Sequence, residues 1–558
     1  MIGVVASPKQ QAVVCEFFEL FKTPWEFCRR DGVYDILLCA SEPSLQLVRT
    51  KIAIAFGARE TTFDREHGLS VHSHGEQRSV SFCGSRIPIY GELGTFGKAH
   101  RFLIEESSQR SVACVNHIED TVIIRIGYDL FHEIEHLLSI GQPAQNARLP
   151  ALDLHIDLLR TLIVSAGLPL LEIPPVPAGY SFIACLTHDL DHALMRPHRF
   201  DATAAGFLYR ATVGSLINLV RGRIDISKLC KNWAAAVKLP LIYAGLAADI
   251  WADFDRYLAL EEGRPSTFFV VPFANRPGRS PKGQAPAKRA TRYDVSFIKP
   301  KINRLIAAGC EVGLHGINAW CDSLEGRKEA GRISEVTGAP EIGVRMHWLY
   351  GNQRSATVLE EAGFTYDSTV GYNEAVGYRA GTGQVFKPIN CTRLLELPMH
   401  VMDTALFLPG YLHLRRSEAS DYLTPMLDNS VRHGGTLTIN WHDRSIAPER
   451  LWGDFYSWLV TECSGRNAFF CTASQATSWF RRRRSVAFQR NANGEVAIQL
   501  ESVLPVQNPG LPPMRLRSYM AGNLRELDEL VTPPQLRYME QDLAEDNQFI
   551  NVKMKSVV

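Results

Sequence analysis

The chain has 558 residues, 46% of them hydrophobic, and a formal net charge of +1. That length exceeds one ordinary core and predicts two or three domains, while the near-neutral balance gives no global basis for nucleic-acid binding, which calls for a basic domain or stripe. Twelve cysteines, scattered from Cys15 to Cys471 with no C-x-x-C pair, exclude a structural zinc ribbon and read as small buried thiols of a reducing compartment.

Residues 1 to about 125 alternate short apolar runs ("DILLCA", "SVSFCG", "IPIYGEL", "TVIIRIGY") with polar turns, which predicts a mixed-sheet domain. The opening "MIGVVASPKQQ" lacks a basic start and a sustained apolar run, so a secretory leader is not expected there and a cytoplasmic location is. Two helices follow, "DLFHEIEHLLS" from Asp129 and "PALDLHIDLLRTLIVSAG" from Pro150. The proline-rich "LPLLEIPPVPAG" then breaks the pattern, so the first domain, α/β with a helical linker, is expected to span 1–175. Within it "HEIEH", residues 132–136, matches the H-E-x-x-H of zinc proteases. On a helical wheel, however, Leu130, Phe131, Ile134, Leu137 and Leu138 share one side and His132 and His136 the other, as on a solvated outer face. His155 is the sole further ligand candidate, so the protease reading is the weaker one.

From Tyr180 strand and helix alternate. "SFIACL", "STFFVV", "CEVGL", "GVRMHW", "RLLELPM" and "TLTINW" are apolar enough for burial on both faces, and the helices "SFIKPKINRLIAAG" and "SATVLEEAG" stop at Gly309 and Gly363. This pattern predicts parallel strands with right-handed crossovers, closed as a barrel or opened as a doubly wound sheet, over residues 176–484. A helical insertion, 195–255, interrupts it. Between Arg199 and Ala248 it carries seven basic residues against two acidic, net +5, and is expected to act as a lid or as a dock for an anionic carrier at the inner-membrane surface. "WAAAVKLPLIYAGLAADIWA", from Trp233, contains Lys238, Pro240 and Asp249 and is a poor spanning helix. Past "TSWFRRRR", whose charge suits a helix C-terminus, runs such as "SVAFQR" and "EVAIQLES" predict a small β-rich unit over 485–558.

Polar residues gather at the ends of these strands, where α/β folds build their sites. "THDLDH", 187–192, sets Asp189 and Asp191 two apart, so both point to one face of an extended chain and His188 and His192 to the other. Two carboxylates side by side call for a cation between them, or for one to hold a metal while the other takes a proton. "CEVGL" leads to His315, "GVRMHW" carries Arg345 and His347, and "TLTINW" runs into His442 and Asp443. Such a set suits metal-assisted hydrolysis, with a carboxylate as base and His442 as the acid that an amine leaving group needs. Trp320, Trp348, Tyr350 and Trp441 lie beside these positions; the last three are the candidates for stacking on sugar faces.

"STFFVV", "CEVGLHG", "GVRMHW" and "NWHD", in that order after "THDLDH", resemble the polysaccharide deacetylase (NodB-homology) family, over roughly residues 180–484. That resemblance implies a distorted (β/α) barrel hydrolysing acetyl groups on a saccharide. It implies Asp189 as base, Asp191 and His315 as ligands of a divalent metal, zinc by expectation, Arg345 as the residue that holds the base, and His442 as acid. The region with "DLFHEIEHLLS" resembles the N-terminal extension of one bacterial branch of that family. The pattern departs at Ala319, where the family has a second histidine; His347 is the expected replacement, with Asp367 or His192 as alternatives. Two other classes remain: a glycosyltransferase whose "DLD" grips manganese, and an inactive barrel that only binds carbohydrate.

Overall fold

The apolar runs after Tyr180 form the strands Phe182–Leu190, Ser266–Val270, Glu311–Gly316, Val344–Met346 and Thr436–Asn440. Every residue in them except Glu311 is buried, as befits parallel strands covered on both faces. The chain is described by a computed structural model over residues 1–29, 32–40, 50–97, 102–490, 496–500, 510–522, 535–543 and 549–552.

Short strands complete this α/β sheet: Tyr366–Asp367, Leu395–Glu396, Val401–Met402 and Ala468–Phe470. The parallel order is 395–396, 366–367, 344–346, 311–316, 266–270, 182–190, 436–440, 401–402, with 468–470 also on 182–190. Laid flat, eight strands would be about 34 Å wide. Residues 397–400, which join the two edge strands, reach only about 17 Å. The sheet therefore curls into an open barrel. Helices such as Lys299–Ala307 and Ser355–Ala362 return the chain between strands, the second ending at Gly363, whose φ of +96° only glycine adopts without strain.

This curled sheet is the core of one compact unit, Tyr180–Gly377 with Asn390–Thr477. The expected insertion is a helical hairpin. Ala202–Tyr209 and Ser215–Val220 are joined by a π turn, and Ile226–Tyr243 forms the second arm. Its inner face buries Ala204, Phe207, Ala211, Ala235, Leu239 and Ile242 with Trp251 and Ala447.

The other unit comprises Met1–Gly179, Tyr378–Ile389 and Ser478–Val558. A six-stranded sheet, parallel except for the hairpin Ala113–Ile118/Thr121–Ile126, forms its centre. The C-terminal segment is not separate from it, contrary to the expectation of a unit at 485–558. Met514–Tyr519 pairs antiparallel with Leu170–Glu172, and the buried Arg483 donates to the carbonyl oxygens of Ile173, Glu19 and Leu20. The arginines of "RRRR" thus make defined contacts as well as meeting a helix end. No helix among the described residues is long and apolar enough to cross a membrane.

Candidate active site

Register brings the site together. His315 lies opposite Arg345 on neighbouring parallel strands, so His347 falls just past the strand end. Asp189 lies near the end of strand 182–190, which strand 266–270 separates from that of His315, and Asp191 lies one residue beyond its end. Asp191 Oδ1 is 3.3 Å from His315 Nε2 and 3.1 Å from His347 Nε2, and the ligand-capable atoms of the three residues all lie within 4.8 Å of one another. Asp367 and His192 stand outside this group.

The donor set fits a divalent cation. His315 Nδ1 is 3.0 Å from the carbonyl oxygen of Arg345, which can only accept, so Nδ1 carries a proton and Nε2 is the nitrogen available to a metal. Burial holds the His347 imidazole down to about 4, against the pull of Asp191, so that ring is neutral at pH 7. Asp191 Oδ1 is buried and receives no aligned hydrogen bond. Burial would raise the Asp191 carboxyl, but His347, His315 and His442 hold it well below the carboxylate range. Three protein donors with one further position are the arrangement of a hydrolytic zinc centre. Ala319 is buried, its methyl against Gly326.

Asp189 is fixed from two sides. Its Oδ1 accepts from Arg345 Nη1 at 3.0 Å and its Oδ2 from Asn440 Nδ2 at 2.7 Å. Arg345 is fully buried over the Phe269 ring, and donates also to Thr187 Oγ1, the Ser368 carbonyl and Ser368 Oγ. Burial would raise the Asp189 carboxyl, yet Arg345, then His315 and His442, hold it below its ordinary value. It is ionised at neutral pH.

Sequence reading missed Asp403 and Asn440. Asp403 Oδ1 is 2.6 Å from His442 Nδ1, and its Oδ2 accepts the His442 backbone N–H at 2.7 Å. Burial alone would lower the His442 pKa, but Asp403, with Asp191 and Asp189, raises it to about 9. The available signal was an aspartate directly after the buried dipeptide Val401–Met402, whose strand pairs with the one that delivers His442.

A cavity of about 510 Å³ lies over these residues, with Trp348, Tyr350, Asn373, Met402, Tyr411, Arg444 and Arg450 in its wall. Trp348 and Leu349 take φ of +62° and +52°, a left-handed pair of non-glycine residues directly after a candidate ligand. Trp441 does not reach the cavity. It is buried against Phe407, Phe455 and Tyr456, because alternation along the strand turns it away from the face that carries Asn440 and His442. The rival motif has a structural use. Glu133 is buried and accepts the backbone N–H groups of Tyr90 and Gly91 at 2.7 and 2.8 Å, and His136 stacks on Tyr90.

No protein-family model matches the chain, and no curated protein matches it. Among solved structures, a polysaccharide deacetylase from Mycobacterium smegmatis is 18% identical, with a TM-score of 0.34, over 56% of this chain and 95% of that one. A polysaccharide deacetylase from Pseudomonas aeruginosa is 15% identical, with a TM-score of 0.34, over 55% and 94%. An allantoinase is 16% identical, with a TM-score of 0.33, over 55% and 91%.

Proposed function

We propose that this protein is a metal-dependent carbohydrate deacetylase, a hydrolase that releases acetate from an acetylated amino sugar or related saccharide. The convergence of Asp191, His315 and His347 beside a separately held Asp189 carries the reading. A divalent ion, zinc by the nitrogen-rich donor set, would be held by those three residues; when bound, such an ion polarises an acyl oxygen and lowers the pKa of water toward about 7.

The chain's own residues account for the proton traffic. Asp189 is ionised and has both oxygens oriented by Arg345 and Asn440, but a carboxylate has about four lone-pair sites, so it can still accept a proton from an attacking water. His442, kept protonated by Asp403, can donate to the departing amine, or to an alkoxide in an O-acetyl ester. Trp348 and Tyr350 offer ring faces to a sugar from the cavity wall.

The glycosyltransferase alternative assigns no task to His315 or His442, both of which lie within 3.9 Å of Asp191. The inactive-barrel alternative arose from Ala319, and His347 supplies an imidazole from the next strand instead. Metal analysis combined with acetate release from acetylated amino sugars tests all three: metal without acetate from any N- or O-acetyl sugar would sink the proposal.

Peripheral contact with an anionic membrane or lipid-linked carrier is part of the same reading. Tyr209, Val213, Leu216 and Val220 on one arm of the hairpin, and Ile226, Trp233, Val237 and Leu241 on the other, are exposed opposite the buried face, with Val220 at 83% and Val237 at 78%. Arg221, Lys231 and Lys238 lie exposed beside them. An apolar stripe flanked by cations suits an anionic lipid surface. Cosedimentation with phosphatidylglycerol vesicles at low salt should occur and should be lost in V213E/V237E; no binding by the unaltered protein removes this part.

A further inference from the structure

The cavity wall holds guanidinium groups that make no contact ion pair with a carboxylate among the described residues. Lys288, Arg289, Arg444 and Arg450 line it with Asp189, Asp191 and Asp443. Each acid is otherwise engaged. Asp189 is held by Arg345 and Asn440, Asp191 faces the two histidines, and Asp443 accepts the backbone N–H groups of His192 at 2.7 Å and Arg444 at 2.8 Å. Asp403 holds His442, and Glu449, next to Arg450 in the chain, accepts from Arg210 Nε at 2.6 Å through Oε2, while its buried Oε1 has no hydrogen-bond partner and makes no ion pair with Arg444 or Arg450. Arg289 is spoken for as well: it is buried and donates to the carbonyl oxygens of Pro277 and His347.

Lys288 is exposed to solvent and lies over the Trp348 ring at 5.7 Å, which leaves Arg444 and Arg450 as the partly buried guanidinium groups of the wall. Among the described residues neither has a carboxylate within ion-pair distance. The Arg444 guanidinium rests over the Trp251 ring at 5.3 Å and that of Arg450 over Trp452 at 5.1 Å, so aromatic faces orient both. Arg450 gives one hydrogen bond, to Ser445 Oγ at 3.1 Å, and keeps a buried Nε without a partner. The two are near enough to repel each other. Paired guanidinium groups at a cavity wall are costly unless an anion lies between them, and their planar forks match phosphoryl or carboxylate oxygens.

We propose that Arg444 and Arg450 form an anion subsite next to His442, and that the acetylated saccharide this site takes carries a phosphoryl or carboxylate group. The substrate class rests on the deacetylase reading; the subsite itself does not. Both guanidinium groups follow His442 on one loop, so a bound anion would lie on the side of the cavity where the freed amine or hydroxyl leaves.

Two measurements on the full-length, metal-loaded protein separate these claims. The first compares acetate release from N-acetylglucosamine oligomers, N-acetylglucosamine 1-phosphate and N-acetylmuramic acid. One charged substrate should exceed the neutral one by about tenfold or more in kcat/KM, and the R444Q/R450Q protein should lose that margin through KM with kcat little changed; phosphate and carboxylate forms tell the two anion sources apart. Equal kcat/KM for neutral and charged sugars, or an equal loss on both in the variant, overturns the proposal. The second is calorimetric titration with inorganic phosphate. Binding should weaken by about tenfold or more in R444Q/R450Q, with R444K/R450K intermediate because it keeps charge and loses the fork. Unchanged phosphate binding overturns the subsite, whereas the expected loss of phosphate binding without acetate from any sugar would overturn the deacetylase reading and leave the subsite standing.

Discussion

His315 donates its Nδ1 proton to the backbone carbonyl of Arg345, 3.0 Å away on the adjacent strand, and so presents Nε2 to Asp191. One peptide unit thereby links the candidate metal centre to the arginine that holds Asp189. Removing a donor should empty that centre: His315→Ala or His347→Ala should lower bound zinc from about one ion per chain to a small fraction after dialysis, with the fold retained by circular dichroism. Full zinc retention in His347→Ala would leave the third donor unassigned.

Asp189→Asn should behave differently. The amide keeps the volume and cannot take a proton, so acetate release should fall by about a hundredfold to ten-thousandfold while metal content stays near that of the unaltered protein. A variant that retains its rate would show that another group activates water.

Asp403 raises the His442 pKa to about 9. Its negative charge favours the imidazolium, so Asp403→Asn should lower that pKa, and the alkaline limb of the pH–rate profile should move to lower pH. The rate at pH 8 should fall more than the rate at pH 6. An unmoved alkaline limb would mean that it reports some other group.

Glu133 predicts a pH dependence of stability rather than of rate. Burial lifts its carboxyl to about 7 from 4.5, outweighing the two backbone N–H donors. Because the folded value lies above the unfolded one, its contribution is complete below about pH 4.5 and is lost as pH rises through about 7. Thermal unfolding of Glu133→Gln should show a shallower decline between those values than the unaltered protein, a difference of about 1–3 kcal/mol at most, and acetate release should be unchanged. Loss of hydrolysis with intact folding would reopen the protease-like reading of "HEIEH".

Much of the site was legible because the informative residues stand in or just after buried, largely apolar strands: Asp189, His315 and His442 near the ends of such runs, and Arg345 within the short run Val344–Met346. Asp403 and Asn440 were not. The strand before Asp403 has two residues, too few to show a period, and Asn440 sits inside an apolar run where it reads as an interruption. Trp441 was misplaced because its neighbour in sequence lies on the opposite face of the strand, a fact that composition near a strand end does not carry. The C-terminal segment looked separate because antiparallel pairing between residues 170–172 and 514–519 joins positions far apart in the chain.

By itself the sequence determined the alternation of buried strands and helices after Tyr180, the ends at which polar groups collect and the choice of histidine, aspartate and arginine there, since these follow from local periodicity and residue chemistry. Only the tertiary structure decided that His347 lies with Asp191 and His315, that Asp403 hydrogen-bonds His442, and that Arg444 and Arg450 line a cavity with no carboxylate within ion-pair distance among the described residues. Those facts depend on strand register and sheet curvature, which bring distant residues within a few ångströms and are set by the packing of the whole barrel rather than by any one segment.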